Sequence, residues 1–287
     1  MTSQINHHRV LANGIKQHYV DAGYGPPVLL LHGFPETWYA WRKQIPPLSQ
    51  NYRLIIPDLR GYGDTEKPAF GYDKRTMAND IKALIDLLGI ERIAVIGHDR
   101  GARVGTRFCK DYPKVVDRFA ALDNIPTRFI FENMNAQLAQ AAWFFLFHGV
   151  RDLPEALIQG REDLWIRHFL TTWASDRGAF TEEDINIYVK AYAQPGGVRG
   201  ACEDYRAWRE DLAQDQIDAA PKILCPTLAL WGADFDSAKA VDMERIWSEM
   251  AEFLTVAPIA GAGHFPHEER SNEVNAVLSD FLSGWAG

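Results

Sequence analysis

Cysteine is scarce in this chain, and so are long apolar runs and basic residues in excess. The three cysteines, Cys109, Cys202 and Cys225, are scattered along 287 residues. Their odd number and wide spacing give neither a disulfide framework nor a thiolate metal site, and fit a reducing cytoplasm. No apolar run approaches the roughly 20 residues of a membrane-spanning helix; Ala141 to Phe147 is among the longest. Met1 to Val20 has no apolar centre that could serve as a secretion signal. A net charge of −8 argues against a nucleic-acid surface and requires any small-anion site to be built locally. There are no repeats, low-complexity stretches or evident linkers. The expectation is a cytoplasmic protein with a small-molecule partner, without nucleic acid or membrane.

What is present is a core-forming composition, 47% hydrophobic, with nine tryptophans and 15 phenylalanines. Asn13-Gly14 predicts a hairpin between Arg9–Ala12 and Ile15–Val20. Pro27–Leu31, Tyr52–Pro57, Ile93–Ile96 and Arg118–Leu122 read as buried strands, with a helix over Thr76–Leu88 between the second and third. From Arg128 to Gln214 the pattern becomes helical and aromatic: Ala141–Phe147, Glu162–Trp173, Glu182–Ala193 and Ala201–Trp208. Strand and helix then alternate again through Thr227–Trp231, Ala238–Met250, Leu254–Ile259 and Asn272–Trp285. This predicts an α/β core with a mostly parallel sheet, made of residues 1–127 and 215–287, interrupted by a helical cap over 128–214.

The chain is organised around Gly97-His98-Asp99-Arg100-Gly101. A strand runs into it and a helix out of it. Two glycines flank a central aspartate, the spacing of a nucleophile elbow with aspartate in place of the more usual serine. A carboxylate suits attack on a saturated carbon, because the alkyl ester it forms can be hydrolysed to return the aspartate.

The ordered set His32-Gly33-Phe34-Pro35, Asp58-x-Arg60-Gly61-Tyr62-Gly63, Gly97-His98-Asp99-Arg100-Gly101 and Gly263-His264-Phe265 resembles the α/β-hydrolase fold. Within it, the set is similar to the branch of epoxide hydrolases, haloalkane dehalogenases and haloacetate dehalogenases. That likeness implies an eight-stranded, mostly parallel sheet and a cofactor-free hydrolase, and suggests a homodimer. Arg100 and Arg103 resemble the arginines with which haloacetate (fluoroacetate) dehalogenases grip a substrate carboxylate, and Cys202–Ala207 resembles their lid segment, with Tyr205 at the halide. The lid histidine of those enzymes is missing: Ala142 or Trp143 stands there, depending on the alignment. Fluoride, which needs strong hydrogen bonds, is therefore the least expected leaving group.

The roles follow. Asp99 is the nucleophile and His264 the base that activates water; Phe34 and Arg100 supply oxyanion N–H groups. Arg100 and Arg103 hold an anionic substrate, and Trp143 and Tyr205 meet the leaving group. Trp38 is a candidate pocket wall. Asp123, which ends a strand, is preferred as the acid partner of His264 over Asp234 and Asp236. His148 lies in the lid without an assigned role. His264-x-x-His267 beside Glu268 lacks the helix that a zinc motif needs, so no metal is expected. The leading expectation is haloacetate dehalogenation. The alternative is epoxide hydrolysis, with Tyr205 as the acid.

Overall fold

The computed structural model describes residues 4–219, 221–285 and 287; residues 1–3 of the stretch read for a signal lie outside them. β1 (Ile5–Ala12) and β2 (Ile15–Ala22) form the expected hairpin, with Ala12 opposite Ile15 and positive φ at Asn13 and Gly14. There follow β3 (Pro27–Leu31), α1 (Ile45–Leu48), β4 (Arg53–Pro57), α2 (Lys74–Leu87), β5 (Ile93–His98), α3 (Arg100–Asp111) and β6 (Val116–Leu122). After the lid come β7 (Thr227–Gly232) and β8 (Leu254–Ile259). One eight-stranded sheet results, ordered β1-β2-β4-β3-β5-β6-β7-β8. Only β2 runs against its neighbours, β1 and β4; the pairs from β4/β3 to β7/β8 are parallel.

Parallel pairing needs crossovers, and these cover both faces with helices. Alternation along each strand then feeds two cores. Leu29, Leu31 and Val95 face Val104 and Phe108 of α3, while Val28, Leu30 and Ile96 face Leu278 and Leu282. Both layers are closed, which is why β3 and β5 read as unbroken apolar runs.

The cap sits between β6 and β7 as eight helices: α4 (Thr127–Glu132), α5 (Ala136–Ala141), α6 (Trp143–Gly149), α7 (Leu153–Ile158), α8 (Glu162–Thr172), α9 (Glu182–Tyr192), α10 (Gly197–Arg206) and α11 (Trp208–Ile217). Two boundaries differ from expectation. The cap's helices start at Thr127 and α11 runs past Gln214, so the cut at 214 falls inside a helix. The helix expected over Ala201–Trp208 is the end of α10, and a break at Ala207 makes Trp208 the first residue of α11. Beyond β7 lie α12 (Asp236–Lys239), α13 (Met243–Met250), α14 (Pro266–Glu269) and α15 (Ser271–Leu282). No helix among the described residues is long and apolar enough to cross a membrane.

Candidate active site

Three strands end at the site. Asp99 follows β5 with φ 43° and ψ −110°, a conformation a non-glycine residue holds only at a cost of about 1–3 kcal/mol. The turn is tight enough that a Cβ on Gly97 would lie 2.6 Å from the Gly101 carbonyl oxygen, and one on Gly101 would collide with the Leu31 carbonyl. Substituents on either side are thereby excluded. The Asp99 carboxylate accepts from the Phe34 N–H at 3.2 Å, and Asn124 Nδ2 donates to the Asp99 carbonyl at 3.0 Å. The Phe34 N–H is thus aimed at the Asp99 carboxylate.

Asp123 follows β6, also at positive φ (42°), and its Oδ2 lies 2.7 Å from His264 Nδ1. Burial pushes the Asp123 carboxyl up, against the pull of His264. Asp234 instead lies exposed near Lys239, and Asp236 opens α12. With Nδ1–H donated to Asp123, His264 keeps a free lone pair on Nε2, a buried atom without a partner. Asp99, Asp123 and His264 line one cavity of about 50 Å³.

Sequence reasoning missed most of the walls of that cavity. They are apolar: Ile125, Ile130, Leu138 and Ala142, then Phe144, Phe145, Trp173, Phe235 and Ala238. Their aromatic content was the only signal, and it was shared with the core. Trp143 and Trp38 do not line it. Trp143 is 42% exposed and stacks on Phe169, because α6 turns Phe144 and Phe145 inward instead. Trp38 packs edge-on against His7 and Tyr39.

The two arginines part company. Arg100 is fully buried and committed: its Nε and Nη2 donate to the Asp204 carboxylate of α10 at 2.9 and 2.8 Å, and Nη2 reaches the Asp204 carbonyl as well. Lys74 and the Tyr62 hydroxyl also bind Asp204, whose pKa stays well below the usual range because Arg100 and Lys74 outweigh its burial. The expected double clamp is therefore not formed; the lid carboxylate occupies Arg100. Arg103 does line the cavity, and donates to Thr127 Oγ1. Among the described residues no carboxylate forms an ion pair with it. Burial and the like charge of Arg100 bring its pKa down to about 10, so it remains a cation at neutral pH.

Tyr205 is buried under the Arg100 guanidinium, 4.6 Å from ring to charge, and its hydroxyl has no partner. Burial and then the charge of Asp99 push it well above the usual phenol range. Tyr192, which the sequence did not flag, has a second buried, unpartnered hydroxyl and also responds to Asp99. His148 packs at a tilt against Tyr205, accepts from Trp165 Nε1 at 3.1 Å, and is held neutral by burial, which brings its pKa down to about 3.

Glu36, His98 and His267 are the one trio among the described residues whose donor atoms, all within 4.8 Å of one another, could hold a metal. Those atoms are already joined to each other. Glu36 binds His98 Nδ1 at 2.7 Å and His267 Nε2 at 3.0 Å. His98 Nε2 lies 2.7 Å from the His264 carbonyl. Burial alone would lower His98, but the charge of Glu36 and its hydrogen bond raise it to about 9. A protonated His98 donates in both directions, so the trio reads as a braced ion pair behind the His264 loop.

A profile described as the alpha/beta hydrolase fold matches residues 26–271. The chain belongs to this family. It is 38% identical to a soluble epoxide hydrolase of Corynebacterium sp. (strain C12), over 99% of each chain. It is 34% identical to a fluoroacetate dehalogenase of Burkholderia sp, over 92% of this chain and 89% of that one. Among solved structures, the ligand-free epoxide hydrolase CorEH superposes with a TM-score of 0.93 at 38% identity, covering 98% of this chain and 99% of that chain. The chain is thus an enzyme of the alpha/beta hydrolase type, with relatives on both sides of the expected alternative.

Proposed function

We propose that this hydrolase opens a small epoxide through an ester on Asp99, with a preference for substrates that carry a carboxylate. The observation that carries the chemistry is the unpartnered Nε2 of His264 in the same cavity as Asp99, with Nδ1 held by Asp123. An Asp99 oxygen attacks a ring carbon, the C–O bond breaks, and Tyr205 gives its proton to the leaving oxygen. His264 then takes a proton from water, and the hydroxide attacks the ester carbonyl. The Phe34 N–H holds the oxyanion until the C–O bond to the diol breaks. The His264 imidazolium protonates the departing alkoxide, and the proton of the restored Asp99 carboxyl returns to the Tyr205 phenolate, so that epoxide and water have become diol.

Epoxide opening is favoured over halide displacement by what meets the leaving group. Tyr205 carries a buried, unpartnered hydroxyl that burial keeps protonated and on which Asp99 is the leading charge, whereas Trp143, the expected halide donor, is 42% exposed and turned away by α6. The carboxylate preference rests on Arg103, a cavity cation without an ion-pair partner among the described residues. The same residue favours the second reading, dehalogenation of a 2-haloacid. Incubation with styrene oxide, oxirane-2-carboxylate and chloroacetate separates them. Diol from the epoxides, fastest from the carboxylate, is the expected result; chloride release without diol formation would reverse the order of the two readings.

A further inference from the structure

Arg103 also forms part of a second cavity, of about 20 Å³, which reaches α11 of the lid. Its wall carries six buried polar atoms that have no partner: Arg103 Nε, Thr106 Oγ1, Arg107 Nε, Asn124 Oδ1, Asp211 Oδ2 and Gln214 Oε1. Left dry, each would keep the full desolvation penalty of an unpaired polar group. The two guanidinium N–H groups need an acceptor, and the three carbonyl or carboxylate oxygens need a donor. A halide could answer only the first and a metal ion only the second. Water answers both.

We propose that an ordered water in this cavity bridges Arg103 Nε to Asp211 Oδ2, making Asp211 the water-mediated counter-ion of Arg103. Asp211 is anchored for this. Its Oδ1 accepts the Lys74 N–H at 2.7 Å, and its Oδ2 lies 3.5 Å from Lys74 Nζ without a hydrogen bond. Asp211 joins Asp99 among the negative charges that act on Arg103. Any carboxylate entering the catalytic cavity then competes with Asp211 for the same cation, so α11 sets the affinity for anionic substrates. This rests on the reading of Arg103 as the carboxylate seat.

The test has two arms. Asp211→Asn keeps the shape and the Oδ1 acceptor but removes the charge. KM for oxirane-2-carboxylate and the inhibition constant of acetate should each fall roughly threefold or more, while kcat and KM for styrene oxide stay put. Equal shifts for charged and neutral substrates would mean a structural role only and would overturn the proposal, as would no shift. The second arm is a high-resolution crystal structure of the unaltered protein. It should show a water within hydrogen-bond distance of both Arg103 Nε and Asp211 Oδ2, and an empty site overturns the bridge whatever the kinetics. If the unaltered enzyme neither converts nor is inhibited by carboxylates, the seat itself is wrong, and the density still decides the bridge.

Discussion

Arg100 and Asp204, 104 residues apart in the chain, close a two-pronged ion pair that fastens the Gly97–Gly101 turn to α10 of the lid. Both side chains are buried, and Lys74 shares the carboxylate. Removing one partner of such a pair strands the other, at about 3–5 kcal/mol. Asp204→Asn should therefore lower the unfolding free energy on that scale in urea titrations. A loss near zero would show that the fastening is not needed.

The ester mechanism predicts its own trap. Asp99→Asn should abolish turnover of every substrate while leaving the circular dichroism unchanged. His264→Ala should form the ester and fail to hydrolyse it, so intact-protein mass spectrometry should show an adduct. The adduct mass also reports the chemistry: an epoxide adds its whole mass, whereas a haloacid adds its mass less hydrogen halide. Consumption of substrate with no adduct would rule out the two-step route.

Two hydroxyls compete for the role of acid. Asp99 is the leading charge acting on Tyr205, but for Tyr192 it comes after Tyr205, Glu36 and Asp204. Tyr205→Phe should thus cut kcat on epoxides by about 100-fold or more, the ordinary worth of a general acid, and Tyr192→Phe by much less. The reverse order would move the assignment to Tyr192.

The brace behind the loop should show in stability against pH. His98 is raised to about 9 in the folded protein, above its ordinary 6.5. The folded state therefore holds a proton that the unfolded state releases, and this contribution is complete below about 6.5 and lost as the pH rises through 9. Glu36→Gln should flatten the decline in stability across that window. Parallel curves for the two proteins would place the proton elsewhere.

Much of the fold was legible because its signals are local. Asn13-Gly14 sets a hairpin by its own backbone preference, and the Gly97-x-Asp99-x-Gly101 spacing is imposed by contacts within the turn and with β3. His264 and Asp123 could be placed because each ends or follows a strand. The fates of Arg100 and Trp143 were not legible, because they depend on which partner arrives from elsewhere. Asp204 reaches Arg100 only once the lid is folded over the elbow. Trp143 loses its place in the cavity to Phe144 and Phe145 through the rotation of one short helix, which the aromatic run Trp143–Phe147 leaves open. Tyr192 was hidden for a similar reason: a tyrosine on an apolar face looks like core until its hydroxyl is seen to lack a partner.

Phe34 has a further consequence for how the enzyme can operate. Its N–H holds the Asp99 carboxylate, while its ring packs against His148, Trp165, Phe169, Trp173, Tyr192 and Tyr205, all from the lid. Were the lid to lift, those six contacts would loosen together, and the amide that steadies the nucleophile would lose its support. A raised lid and a supported Phe34 amide would therefore be incompatible, because both depend on the same six aromatic contacts.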